Sequence, residues 1–292
     1  MRLKFITSIV SILLIAVTVG GCGNKLKSEK VESPSGYDFN NPKKFRMREG
    51  LLEISGIAFH NNNPDTVYAI EDEDGRVYHF HPGDSKVAYT HFSKQGDYED
   101  VTIINDNVIV LKSSGTLYSF PIANINLEDQ TNVKEFKKLL PKAEYEGLYA
   151  DQADKKIYVL CKDCGGKKAG ELDGGYILSA ANPDTLVQSG TFSITMEKLM
   201  KKNGDEDKFK PSALGKNPVS GDWFILSANN NMLLVTDGKF IAKGSYKLLT
   251  SRFLQPEGIA FDSKGNLYIS NEGDELESGN ILRFEYKPSA KK

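Results

Sequence analysis

An all-β chain closed into a five-bladed β-propeller is what this sequence predicts, on three observations. The first is a polar element that recurs directly before an apolar run: Glu53-Ile54-Ser55-Gly56, Asp97-Tyr98-Glu99-Asp100, Glu144-Tyr145-Glu146-Gly147, Lys210-Pro211-Ser212-Ala213 and Gln255-Pro256-Glu257-Gly258. Their third positions, Ser55, Glu99, Glu146, Ser212 and Glu257, lie 44, 47, 66 and 45 residues apart. The second is what fills each interval: short runs rich in Val, Ile, Tyr and Phe, divided by Asp, Asn and Gly turns, which is the pattern of brief strands. The third is the period itself, since a repeat in the forties built of such strands makes one four-stranded blade around a central axis.

In the first unit the strands are Ser55 to His60, Thr66 to Glu71, Arg76 to His81 and Val87 to Ser93. The turns between them are Asn61 to Asp65, Asp72 to Gly75 and Pro82 to Asp84. The last unit repeats the scheme with Gly258 to Phe261, Asn266 to Asn271 and Ile281 to Tyr286, and then stops without a fourth strand. An unfinished blade leaves an unpaired edge, and the segment Lys43 to Arg48 ahead of the first repeat is available to cover it. The 66-residue interval reads as an insertion, with a short helix Met196 to Lys202 and an acidic loop Asn203 to Lys208. A six-bladed ring, with a degenerate repeat in that interval, is the alternative.

The first residues give an address. Arg2 and Lys4 form a basic start, Phe5 to Val19 is apolar but short for a membrane span, and Val19-Gly20-Gly21-Cys22 matches a bacterial lipobox. The expectation is a signal peptide over 1–21 and an acylated Cys22 that anchors the chain to a membrane outside the cytoplasm. Residues 22–42 are polar and read as a flexible tether, 43–288 as the propeller and 289–292 as a tail. The basic Lys25 to Lys30 region shows no acidic run after Cys22, which favours a periplasm-facing anchor over surface display.

With 39% hydrophobic and 26% charged residues the folded part is an ordinary globular domain. Removing residues 1–21 leaves 35 basic side chains against 39 acidic ones, so the footprint that a nucleic-acid backbone requires is absent. Cys161 and Cys164 remain, in Cys161-Lys162-Asp163-Cys164. Export permits a local disulfide, which is favoured over free thiols, and both over redox or metal chemistry, because no second ligand pair accompanies them.

Inner strands line the axis of a propeller, so the third positions converge into a ring holding Glu99, Glu146 and Glu257. Carboxylates crowded together stay protonated or take a cation. Calcium, which accepts six to eight oxygen ligands, is the natural one, with Glu53, Asp72, Asp97, Glu144 and Glu272 as further donors. The competing reading is that an acid before a Gly caps a turn at a blade boundary. Asp72-Glu73-Asp74-Gly75 and Asp205-Glu206-Asp207 read as solvated turns, and His79 and His81 as an exposed face without a third ligand. Ser55 and Ser212 lack a nucleophile elbow, and no catalytic triad is visible.

These residues are similar to a known family. Glu53-Ile54-Ser55-Gly56-Ile57-Ala58, Tyr98-Glu99-Asp100-Val101, Tyr145-Glu146-Gly147-Leu148, Pro256-Glu257-Gly258-Ile259-Ala260-Phe261-Asp262 and Leu267-Tyr268-Ile269-Ser270-Asn271-Glu272 resemble the SdiA-regulated domain family, over roughly residues 37 to 288. The resemblance implies an exported five-bladed propeller with a calcium site and no established reaction. It places the motif acids at Glu99, Glu146, Glu257 and Glu272. Ser55 and Ser212 depart from the motif, and Asp100 stands where Gly is usual.

Three readings of function follow as expectations. The leading one is a lipid-anchored, monomeric, calcium-containing module of the cell envelope that binds a protein, peptide or glycan without catalysis. The alternative is a metal-dependent hydrolase of a phosphoester, ester or lactone, with an axial ion and Glu146 as base. A purely structural envelope protein is the third.

Overall fold

The computed structural model describes residues 29–48, 50–164, 171–182, 184–196, 209–274 and 276–288. The predicted signal peptide, Cys22, the 197–202 part of the predicted helix, the 203–208 loop and the 289–292 tail lie outside these residues. The described residues form five four-stranded antiparallel sheets and almost no helix.

Blade 1 is built from β2 (Ile54–Phe59), β3 (Val67–Glu71), β4 (Arg76–Phe80) and β5 (Ala88–His91). Blade 2 uses β6 (Tyr98–Ile104), β7 (Asn107–Lys112), β8 (Leu117–Pro121) and β9 (Lys134–Phe136). Blade 3 uses β10 (Glu144–Asp151), β11 (Lys156–Asp163), β12 (Glu171–Ser179) and β13 (Val187–Thr195). Blade 4 uses β14 (Ala213–Lys216), β15 (Trp223–Ser227), β16 (Met232–Thr236) and β17 (Ala242–Lys247). Blade 5 joins β18 (Gln255–Phe261), β19 (Leu267–Glu272) and β20 (Asn280–Phe284) to β1 (Lys43–Arg46).

The closure is the one that the missing fourth strand predicts. Strand β1 pairs with β20 in the register Lys43↔Arg283 to Arg46↔Asn280. Five apolar clusters complete the ring, each shared by neighbouring blades: Ala58, Ile70 and Val77 of blade 1 pack with Val101, Val108 and Phe120 of blade 2, and Ile57 and Val67 pack with Ala260, Tyr268 and Ile281 of blade 5. Sheets whose two faces are both covered in this way read as near-continuous apolar runs, which is why strands such as Val108-Ile109-Val110-Leu111 show no alternation.

Two features differ from the sequence reading. The folded body starts ahead of Lys43, because Tyr37 and Phe39 are buried among Phe224, Phe253 and Phe284. The Tyr37 hydroxyl donates to the Gly265 carbonyl at 2.7 Å and accepts from Asn217 Nδ2 at 2.7 Å. In the long interval, blade 3 takes up residues by lengthening: its strands run to 8 or 9 residues, against 4 to 6 in blade 4. No sixth sheet occurs among the described residues.

Candidate functional site

The repeated element acts through a β-bulge. The inner-strand register slips between Ile54 and Ile57, Tyr98 and Asp100, Tyr145 and Gly147, and Pro256 and Gly258. The residues skipped are the predicted third positions Ser55, Glu99, Glu146 and Glu257, with Gly56 beside Ser55 in the first blade. A bulge leaves its extra residue out of the ladder and re-aims the side chain, here towards the axis. Blade 4 has no such slip, and β14 starts directly after Ser212.

At Gly56 and Gly258 the next inner strand comes too close for any side chain, while at Gly147 the nearest atom, Leu214 Cδ2, would lie 3.1 Å from a Cβ. A Cβ on Gly258 would meet Ser270 Oγ at 2.2 Å and the Ser55 carbonyl oxygen at 2.5 Å, and one on Gly56 would meet Asp100 Oδ1 at 2.1 Å. Neighbouring blades are tied across these contacts. Ser270 Oγ donates to the Ser55 carbonyl at 2.6 Å, and Ser212 Oγ donates to the Pro256 carbonyl at 3.0 Å. Asp100 is an interblade tie of the same kind. Its Oδ2 accepts from the Leu148 N–H of blade 3 at 2.6 Å and its Oδ1 from the Val101 N–H at 2.7 Å. Burial pushes this carboxyl well above the usual range, against the pull of both N–H groups.

Three of the four predicted acids meet at the axis. Burial, then the charge of Glu146, pushes Glu99 up to about 9. Burial, then Glu146 and Glu272, pushes Glu257 up to about 8. Between them stands a residue that the repeat does not reveal. Lys162, near the end of β11, bonds Glu146 Oε1 at 2.7 Å and lies 3.1 Å from Glu144 Oε1. Burial works against its charge, but these two carboxylates outweigh it and hold the ammonium protonated. Burial likewise raises Glu146, with Lys162 opposing.

Glu272, the fourth predicted acid, belongs to a neighbouring group at the same mouth. Second strands run antiparallel to inner ones, so their last residues stand beside the inner-strand starts; Glu71 pairs with Ile54 and Glu272 with Gln255. Carboxylate oxygens of Glu53, Glu71 and Asp72 lie within 4.8 Å of one another. Glu71 is buried, and its oxygens accept from the Asp74 N–H at 2.6 Å and the Glu73 N–H at 3.2 Å; burial still pushes it up to about 7. Burial, then Glu53, raises Asp72, while burial, then Asp72 and Glu53, pushes Glu272 up to about 7. Glu272 also accepts a bond from Gln255 Nε2.

A hard divalent cation fits this second group. Its donors are carboxylate oxygens, the charges acting most strongly on Glu71, Asp72 and Glu272 are all negative, and Asp72 Oδ1 is buried with no hydrogen-bond partner among the described residues. The axial trio differs in that Lys162 supplies its positive charge. Beyond the ring the channel changes character. A cavity of about 50 Å³, lined by Ile57, Val101, Leu148, Ile259 and Phe261 with Lys216 at its edge, has room for a few waters and no carboxylate.

The other marked residues find ordinary partners. His79 Nε2 bonds Asn126 Oδ1 at 3.0 Å, and His81 Nδ1 bonds the Asp65 carbonyl. Cys161 and Cys164 form a disulfide. Lys162 and Glu71 were missed in the sequence because both sit at second-strand ends, outside the repeated element; the one signal for Lys162 is its place between the two cysteines.

Comparison with known proteins supports the fold. The structure resembles Myxococcus xanthus glutaminyl cyclase, at TM-score 0.55 and 12% identity over 84% of this chain and 95% of that one. It also resembles a luciferin-regenerating enzyme, at TM-score 0.51 and 11% identity over 86% of this chain and 98% of that one. Identities this low carry the fold alone. No curated protein matches the sequence. The profile of the SdiA-regulated family matches residues 46–275, and the chain belongs to that family.

Proposed function

We propose that this propeller is an exported, lipid-anchored binding module of the cell envelope that holds calcium at its acidic mouth and presents that mouth to a protein, peptide or glycan. The observation that carries the reading is the Glu53, Glu71 and Asp72 group, with its close oxygens and the partnerless Asp72 Oδ1. Those three would hold the ion, with Glu272 beside them. The ion would neutralise carboxylates that burial otherwise drives towards protonation. Lys162 would hold Glu146 away from the ion, and the axial acids Glu99 and Glu257 would face the open mouth. Calorimetric titration with calcium, repeated on Asp72→Asn, tests it: a saturable site that the substitution removes supports the reading.

The metal-dependent hydrolase is a second reading, favoured by Glu99 and Glu257, which near neutral pH are acids able to donate a proton. The Lys162 bond weighs against Glu146 as its general base. Turnover of generic phosphoesters or lactones that falls in Glu257→Gln would select this reading.

A further inference from the structure

Strand β11 is held unequally along its length. Among the described residues it pairs with β12 from Lys156 to Leu160, and beyond Leu160 only with β10, through Tyr145↔Cys161 and Glu144↔Asp163. The Cys161–Cys164 disulfide bridges this one-sided end, with Cα atoms 5.8 Å apart. Inside the bridge lies Lys162, whose Nζ is 2.7 Å from Glu146 Oε1 and 3.1 Å from Glu144 Oε1. The two sulfurs are not equivalent. Cys161 is fully buried and Cys164 half-buried, so an external thiol reaches Cys164 first. Cys161 Sγ also lies 3.4 Å from the Glu144 carbonyl oxygen, which is an acceptor for an S–H once the bridge is open.

We propose that Cys161–Cys164 is a reversible redox site, exchanged by a dithiol reductant, and that opening it releases Lys162 from the axial carboxylates. A thiolate of the reductant attacks Cys164 Sγ, and the S–S electron pair leaves on Cys161 Sγ, which takes a proton. The second reductant thiol then displaces Cys164, which also takes a proton. Two electrons and two protons pass to the protein, and the reductant ends as a disulfide. Without the cross-link, residues 161–164 regain conformational freedom, and holding Lys162 on Glu146 and Glu144 then costs entropy that the bridge had already removed. The axis thereby loses the cation that bears on Glu99, Glu146 and Glu257 and opens to a cation from outside. The redox state of the bridge sets the charge of the mouth.

The inference rests on the position of Lys162 and not on the calcium reading, so its test is run without added metal. The full chain is pulsed with an amine-acylating reagent in the oxidised state and again after treatment with dithiothreitol and desalting under nitrogen, and labelling is followed residue by residue by mass spectrometry. Lys162 should label about tenfold faster or more after reduction, the change that one pKa unit makes in the free-amine fraction. Lys112 and Lys216 should keep their rates. The double variant Cys161→Ser, Cys164→Ser should label fast in both conditions; if it does not fold, the wild-type comparison decides alone. An equal Lys162 rate in both states overturns the proposal, as does a bridge that dithiothreitol leaves closed in the folded protein. A general acceleration at all lysines also overturns it, since the bridge is then a structural staple.

Discussion

The Nζ of Lys162 lies 2.7 Å from Oε1 of Glu146, which places one ammonium among three axial carboxyl groups, Glu146 buried and Glu99 and Glu257 half-buried. The bond explains how the axis tolerates Glu99, Glu146 and Glu257 together. Lys162→Met should destabilise the fold by about 2 kcal/mol, below the 3–5 kcal/mol typical of an orphaned buried charge. The cost is limited because Lys162 is 26% exposed and Glu146 can take up a proton. Urea unfolding at pH 7, with Glu146→Gln and the double variant closing a cycle, measures it; a coupling energy near zero would contradict the account.

The raised carboxyls set the direction of the pH dependence. Glu71, Glu272, Glu257 and Glu99 are pushed up to about 7, 7, 8 and 9, all above their unfolded value, so the folded state binds protons more tightly. Their stabilising contribution is full below the unfolded pKa and is lost as pH rises through the folded values. In a chelator, the melting temperature should therefore fall from pH 5 to pH 9. Calcium should restore it most at the alkaline end, where protons no longer compete for the oxygens. A chelated protein that is more stable at pH 9 than at pH 5 would be inconsistent with these shifts.

Gly258→Ala tests the blade contact. Its Cβ would lie 2.2 Å from Ser270 Oγ and 2.5 Å from the Ser55 carbonyl oxygen, and the second neighbour is backbone that cannot turn aside. The expected loss is about 2–3 kcal/mol, as for other overpacked interiors. Gly221→Ala is the control for space alone, since nothing lies within 4 Å of a Cβ there; its φ of +73° limits it to a smaller loss. Equal stability losses in the two variants would remove the contact as the cause.

Asp100→Asn tests the interblade tie. An amide has one acceptor oxygen where the carboxyl has two, so either Leu148 or Val101 loses its partner. A loss of about 1–3 kcal/mol is expected, the desolvation cost of a buried N–H left alone. Amide exchange at Leu148 or Val101 should speed up with it, and unchanged protection at both would refute the tie.

Much of this was legible in the sequence, for a physical reason. A propeller repeats the same geometry at each blade, so residues facing the axis recur at one position of the repeat, and the sequence reveals Glu99, Glu146 and Glu257 by period alone. The missing fourth strand pointed to Lys43 to Arg48, of which Lys43–Arg46 forms the closing strand, because an unpaired edge needs a partner. Other features are not periodic. Lys162 and Glu71 act from second-strand ends and reach the mouth only through antiparallel pairing. Residues 31–42 look like tether on composition, yet two side chains, Tyr37 and Phe39, fill the space beside Phe253 and Phe284. The bulge that turns the third position inwards in four of the five blades also lies beyond the pattern, which shows that these positions are equivalent and not how they point.

Phe39 offers a direct check on the N-terminal segment. Its ring is fully buried, 4.7 Å from that of Phe284, so Phe39→Ala should cost about 3–5 kcal/mol. A loss below about 1 kcal/mol in chemical unfolding would return the segment to the role of a tether.

Calorimetric titration of the chain with calcium at pH 8, alongside Asp72→Asn, Glu71→Gln and Ser212→Ala, tests the proposed metal-bearing mouth most directly. One saturable site is expected, abolished in the first two variants and retained in the third. Absence of binding, or a site indifferent to Asp72 and Glu71, would contradict it and leave the acids of this mouth as blade-boundary architecture.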